Sequence, residues 1–158
     1  PNGVQSMSQA IEGLVETSLN LGILKMEENE LHVDFSIRSS IASKKKALVD
    51  QLTFLVEFLG GSYEAHGDYP GWEYKTTSHL RDVMTRIWDE MFESKSKVEA
   101  IHAGLECGLL LDKMPALDIV SMGPDMQDIH TPEERLSISS VARCYDFLIQ
   151  VLKDLGEK

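Results

Sequence analysis

Cysteine and basic charge are both scarce in this chain, and each shortage narrows what it can be. Two cysteines, Cys107 and Cys144, in 158 residues cannot build a disulfide framework, so the plain reading is a pair of reduced thiols in a cytoplasmic protein. Lysine and arginine number 15 against 26 acidic residues, a net charge of −11. That balance disfavours nucleic acid and anionic membrane surfaces as partners, because neutralising phosphate takes clustered cations. The one basic run, Lys44-Lys45-Lys46, reads as the solvated first turn of a helix. No apolar stretch is long enough to span a bilayer, and no signal-peptide pattern opens the chain. Internal repeats and low-complexity tracts are absent. Hydrophobic residues make up 42% and charged residues 26%, as in globular domains and unlike disordered ones. The chain opens Pro-Asn-Gly with no initiator methionine, which suits processing or a piece of a longer protein.

What is present is patterned. From Glu30 to Arg38, Leu31, Val33, Phe35 and Ile37 alternate with His32, Asp34, Ser36 and Arg38, the period of a half-buried strand with a polar working face. Residues 11–19 can form its partner, with Asn20-Leu21-Gly22 near the connection. Leu48, Leu52, Leu55, Val56 and Leu59 follow helical spacing, and Gly60-Gly61 supplies the stop. Residues 61–66 read as a short strand. The first half is therefore expected to be β-β-α-β, an antiparallel sheet covered by a helix. Asp68-Tyr69-Pro70-Gly71-Trp72 is turn chemistry, and a domain boundary is placed near Tyr74.

Beyond that boundary, Leu80, Val83, Met84, Ile87, Trp88 and Met91 predict an amphipathic helix. Residues 98–102 and 117–122 read as short strands, with a small helix over 105–111 between them. A last helix over 139–155 should turn Val141, Tyr145, Leu148, Val151 and Leu152 inward. Alternating helix and strand suggests an α/β layer with parallel pairing. Two strands are too few for a covered parallel sheet standing alone, so this half looks incomplete. The expected fold class is α+β.

Four places could carry chemistry. His130 follows a Gly123-Pro124 loop and precedes Thr131-Pro132-Glu133-Glu134, which fits an N-cap, a first helical proline and a capping-box acid. That setting suits presenting an imidazole to a metal; an ordinary surface histidine is the competing reading. Gly104-Leu105-Glu106-Cys107-Gly108 follows an expected strand and opens a helix. Such a turn exposes N–H groups to an anion, although a tight connection needing glycine for steric reasons explains it as well. Glu106 is a ligand, a base or an acid favoured by the helix dipole; Cys107 reads as buried filler, and His102 as an assisting or hydrogen-bonded histidine. Arg38 suits bidentate capture of a carboxylate or a surface salt bridge. His32, His66 and His79 read as structural or exposed.

The run Ala100 to Gly108, the Val120-Ser121-Met122-Gly123-Pro124 turn and Asp128 to Arg135 together resemble the aminoacyl-histidine dipeptidases, carnosine-hydrolysing relatives of the dinuclear zinc peptidases. So do Ile11 to Asn20, Phe35-Ser36-Ile37-Arg38-Ser39-Ser40 and Gly67 to Tyr74, so the resemblance covers essentially the whole chain in order. It implies a ferredoxin-like lid portion over 1–74 joined to an incomplete α/β segment over 75–158, the C-terminal part of the catalytic domain. It also implies that His130 is a metal ligand, that Arg38 grips the substrate carboxylate, and that Gly104 and Glu106 line the substrate site. Two Zn²⁺ per active site are implied for the intact enzyme. The family's other ligands and its general base match nothing here, and one histidine cannot hold catalytic zinc. The expectation is a fragment of a zinc-dependent Xaa-His dipeptidase, inactive alone, with a dipeptide substrate. The remainder of the catalytic domain would be its partner, and a homodimer is allowed. The competing expectations are a non-enzymatic lid-type dimerisation or interaction module, and pairing with a separate polypeptide that carries the missing ligands.

Overall fold

In chain order the elements are β1 (Gly3–Met7), β2 (Val15–Met26), β3 (Leu31–Ser39), α1 (Ala42–Phe58), α2 (His79–Phe92), α3 (Glu106–Lys113), β4 (Met126–Gln127), β5 (Arg135–Leu136) and α4 (Ile138–Gly156). This computed structural model describes residues 1–102 and 106–156. They form two units: residues 1–76 with 100–117, and residues 77–99 with those from 118 on. The class is α+β, as expected.

In the first unit the alternation in β3 dictates the sheet. β1, β2 and β3 pair antiparallel in that order. Leu19 lies opposite Ile37 and Leu21 opposite Phe35, so the apolar side of β3 meets apolar partners across the ladder. Past Leu21 the register slips by one residue at Gly22, giving Ile23↔Asp34 and Leu24↔Val33. This bulge returns Leu24 to the apolar side, where strict alternation would have sent it to the polar one. α1 packs on β3, and Leu48 and Leu19 are buried. Gly60, at φ +80°, ends α1: its N–H donates to the Glu57 carbonyl at 3.0 Å while Gly61 N–H donates to the Val56 carbonyl at 2.9 Å. This paired cap needs a left-handed residue, which glycine supplies without steric cost. On the other side of α1, Phe54 and Phe58 stack with centroids 6.2 Å apart while 69% and 77% exposed.

The expectations for strands need correction. β1 had no alternating signal. β2 starts later than expected and runs straight through Asn20-Leu21-Gly22, because residues 8–14 close a turn with Ser8 N–H on the Leu14 carbonyl. Residues 61–66, 98–102 and 117–122 form no strand. A strand exists only through its ladder, and these segments make none with any described strand. The parallel α/β layer is therefore absent among the described residues.

The second unit is built on α2 and α4. Ser78 caps α2, its Oγ accepting from Arg81 N–H at 3.1 Å and donating to Asp118 Oδ1 at 2.6 Å. Asp118 Oδ2 also accepts Leu80 N–H at 2.9 Å, placing a carboxylate at the positive end of the helix. Val83 and Ile87 of α2 meet Phe147 and Val151 of α4, and Trp88 sits edge-on to Phe147 at 5.4 Å. Of the five residues expected to face inward on α4, Val151 alone is buried; Val141, Tyr145, Leu148 and Leu152 are exposed. The helix is apolar over an arc wider than one partner covers, so spacing could not choose which side α2 takes. No helix of the described residues is long and apolar enough to cross a membrane.

Candidate functional site

Arg38 stands near the end of β3 on the polar face, directly opposite Ser18; residues so paired have Cβ atoms about 5 Å apart. Ser18 Oγ lies 2.7 Å from His102 Nε2, so the segment that leads to His102 is tied to the sheet beside the guanidinium. Burial first, and the Arg38 charge second, lower the pKa of half-buried His102, which keeps its imidazole neutral at neutral pH. Arg38 is exposed, and no ion pair joins it among the described residues. The surface-salt-bridge reading of Arg38 therefore finds no partner among the described residues.

Gly104 lies outside the described residues. Glu106 is exposed and opens α3 as its first-turn acid, a position the helix dipole favours. Tyr69 lies near it: partial burial first, then the charges of Glu106 and Cys107, raise the Tyr69 phenol pKa. The Cys107 thiol is itself pushed up by burial, which leaves it an unreactive filler rather than a nucleophile. Two glycines permit this seating. A Cβ on Gly108 would stand 2.5 Å from the Pro70 carbonyl oxygen, and one on Gly71 would stand 2.5 Å from that of Ser40. Backbone thus stacks on backbone, α3 on the Asp68–Trp72 turn and that turn on the end of β3. Lys45 holds the turn from the other side, donating to the Tyr69 carbonyl at 2.7 Å and pairing with Asp68. The basic run is therefore not simply solvated: Lys44 pairs with buried Glu16, and only Lys46 stays local, with Asp50.

In the second unit His130 sits in a turn clasped by β4 and β5, which pair Met126↔Leu136 and Gln127↔Arg135. Thr131-Pro132-Glu133-Glu134 does not start a helix. Thr131 Oγ1 accepts Glu133 N–H at 3.2 Å, but Glu134 reaches back one residue too far and accepts His130 N–H at 3.1 Å. The capping groups are spent within the turn, and the true helix start is Ser137, whose carbonyl accepts the N–H of Ser140 and Val141. Asp128 and His130 adopt φ of 53° and 67°, costing about 1 kcal/mol or more each for non-glycine residues. The exposed imidazole has few acids to work with. Asp128 is paired with Arg135 at 2.7 Å, and Asp125 with Arg143 at 3.0 Å. No group of three metal-binding side chains exists among the described residues. Zinc takes three or more protein ligands, so the residues described here do not by themselves fit a metal centre.

The structure thus brings Arg38, His102 and Ser18 together, with Glu106 in the same unit, and holds His130 in the other. Ser18 and Tyr69 were missed from the sequence: Ser18 becomes visible only once the β2–β3 register is known, and Tyr69 was absorbed in turn chemistry.

No family model matches the chain. Cytosol non-specific dipeptidase of Escherichia coli (strain K12) is 37% identical over all 158 residues, which span 33% of that protein. The crystal structure of aminoacylhistidine dipeptidase from Vibrio alginolyticus superposes with a TM-score of 0.88 at 37% identity, over 98% of this chain and 31% of that one. Aminopeptidase PepT from Bacillus cereus, 17% identical, matches with a TM-score of 0.70 over 99% of this chain and 42% of its own, and shares the fold alone. Sequence and fold agree from end to end: the chain is a homologue of cytosol non-specific dipeptidase and, in structure, of aminoacylhistidine dipeptidase, matching about a third of each.

Proposed function

We propose that this chain is the C-terminal part of a cytoplasmic dipeptidase that hydrolyses Xaa-His dipeptides, with residues 1–74 in its lid and 75–158 in its catalytic domain. The observation that carries this reading is the 37% identity to a named dipeptidase along the entire chain. Arg38, exposed and without a counter-ion among the described residues, is suited to the C-terminal carboxylate of the substrate. Gly104 and Glu106 would line the same site. His130, held out on a strained turn, would give one ligand to zinc, two ions being held in the intact enzyme. The remaining ligands and the general base would lie in the part of the parent chain upstream. On this reading the 158 residues are inactive alone.

Exposed apolar side chains support a missing complement: Phe54 and Phe58 on α1, and Tyr145 and Leu152 on α4, lie open to solvent. The same exposed apolar residues favour a second reading, a non-enzymatic lid-type interaction module. The deciding experiment measures bound zinc and turnover of an Xaa-His dipeptide in this chain and in the full reading frame. Turnover with about two zincs in the longer protein only is the expected result. Turnover by the short chain refutes the inactivity, and none in either form leaves the interaction module.

A further inference from the structure

We propose that Ser18 and His102 act with Arg38 as a single carboxylate-binding group, the pair supplying one neutral hydrogen-bond donor beside the guanidinium. The inference rests on the assignment of Arg38 to the substrate carboxylate and adds two residues to it. Three observations converge. Ser18 and Arg38 are directly opposed across β2 and β3, so their side chains leave the same face of the sheet. His102, which arrives from a segment 84 residues further along the chain, is held at 2.7 Å from Ser18 Oγ. And Arg38, next to both, is bound to no carboxylate among the described residues.

Proton counting then fixes what the pair offers. A neutral imidazole and a hydroxyl carry one N–H and one O–H between them, and their mutual bond uses one. If Ser18 donates to Nε2, the imidazole is the tautomer with its proton on Nδ1, and Nδ1–H is left over. If Nε2–H donates instead, the Ser18 hydroxyl proton is left over. Either arrangement leaves one donor and no further positive charge next to Arg38. Burial and the Arg38 charge both hold His102 in that neutral form. A planar carboxylate has two oxygens with about four lone-pair sites, so a guanidinium bound to it leaves room for this extra donor. A ligand whose carboxylate is amidated loses the charge that Arg38 selects and most of the benefit of the added donor.

The test uses the full-length protein, with kcat and KM measured for an Xaa-His dipeptide and for its C-terminal amide. Ser18→Ala and His102→Phe each leave one donor but remove the partner that aims it, so each should raise KM for the free acid by up to about tenfold, the size of one hydrogen bond to a charged group. They should leave kcat and the amide kinetics nearly unchanged, since binding shared by ground and transition states moves KM alone. Ser18→Thr, which keeps the hydroxyl, should restore the acid KM. Should Ser18→Ala fail to fold, the nearly isosteric Ser18→Cys decides: a rise in KM confined to the acid supports the pair, and none overturns it. A selective loss with Arg38→Met but not with the Ser18 and His102 variants overturns this inference and leaves Arg38 in its role. A loss with Arg38→Met that is equal for acid and amide overturns both, as does the absence of any dipeptide turnover. Equal losses for acid and amide in the Ser18 and His102 variants alone would mean that the pair merely ties the chain segment to the sheet.

Discussion

Phe147→Ala measured against Tyr145→Ala tests whether α4 turns the side to α2 that the structure gives it. Phe147 is 3% exposed and touches Val83, Ile87, Trp88 and Phe92, while Tyr145, two residues away, is 64% exposed. Truncating a buried phenylalanine costs about 3–5 kcal/mol, through lost transfer free energy and the cavity left behind. Four buried residues make a thin core that can collapse around the gap, so the low end, about 3 kcal/mol, applies. Tyr145→Ala should stay within about 0.5 kcal/mol, as surface changes do. Urea unfolding followed by fluorescence reads both. The chain has two tryptophans, so a Trp72→Phe background leaves Trp88, at 5.4 Å from Phe147, as the reporter of this unit. Equal costs for the two variants would refute the orientation of α4. In the full reading frame, Tyr145→Ala should grow to about 1.5 kcal/mol or more if the stripe of Val141, Tyr145, Leu148 and Leu152 is covered there.

Buried Glu16 accepts hydrogen bonds from Lys44, Ser6 and Thr17, which together outweigh desolvation and lower its pKa. A depressed folded value means stability that is full above the unfolded pKa and is lost as pH falls through the folded one. Urea midpoints between pH 6 and pH 3 should therefore drop more steeply for the native chain than for Glu16→Gln; parallel curves would refute the pairing. Gly108→Ala, which pushes a Cβ to 2.5 Å from the Pro70 carbonyl oxygen, should cost about 1–3 kcal/mol, read by Trp72 fluorescence, and a neutral result would mean that α3 is not seated on that turn. Cys107, with its thiol pushed up by burial, should react with iodoacetamide at pH 8 more slowly than a free cysteine; a faster rate would point to an activated thiolate.

Periodicity announced the elements that own a strong one. The alternation of Leu31 to Ile37, the Gly60-Gly61 stop and the apolar spacing of α2 all appear where their chemistry places them. What stayed hidden depended on partners. The bulge at Gly22, the pairing of β1 and the failure of residues 61–66 to join a ladder follow from which edges exist, and no local pattern reports that. Thr131 and Glu134 carry helix-start chemistry, yet the left-handed backbone at Asp128 and His130 turned those groups onto each other's neighbours. Arg38 could be singled out as a candidate carboxylate binder because its guanidinium chemistry needs no fold to be read. His102 could be read only as an assisting or hydrogen-bonded histidine, and its partner Ser18 not at all, since 84 residues separate them in the chain and 2.7 Å in the fold.

The stacked rings of Phe54 and Phe58 lie open to water on α1, so a polypeptide that covered them would tie the melting point of this chain to its own concentration. A polypeptide that covers such a surface binds the folded form and not the unfolded one, so it adds RT ln(1 + [L]/Kd) to stability, about 2.7 kcal/mol at a hundredfold excess over Kd. With such a partner, a thermal midpoint recorded for the chain in dilute solution would be the floor of a range, its height set by the concentration of that polypeptide.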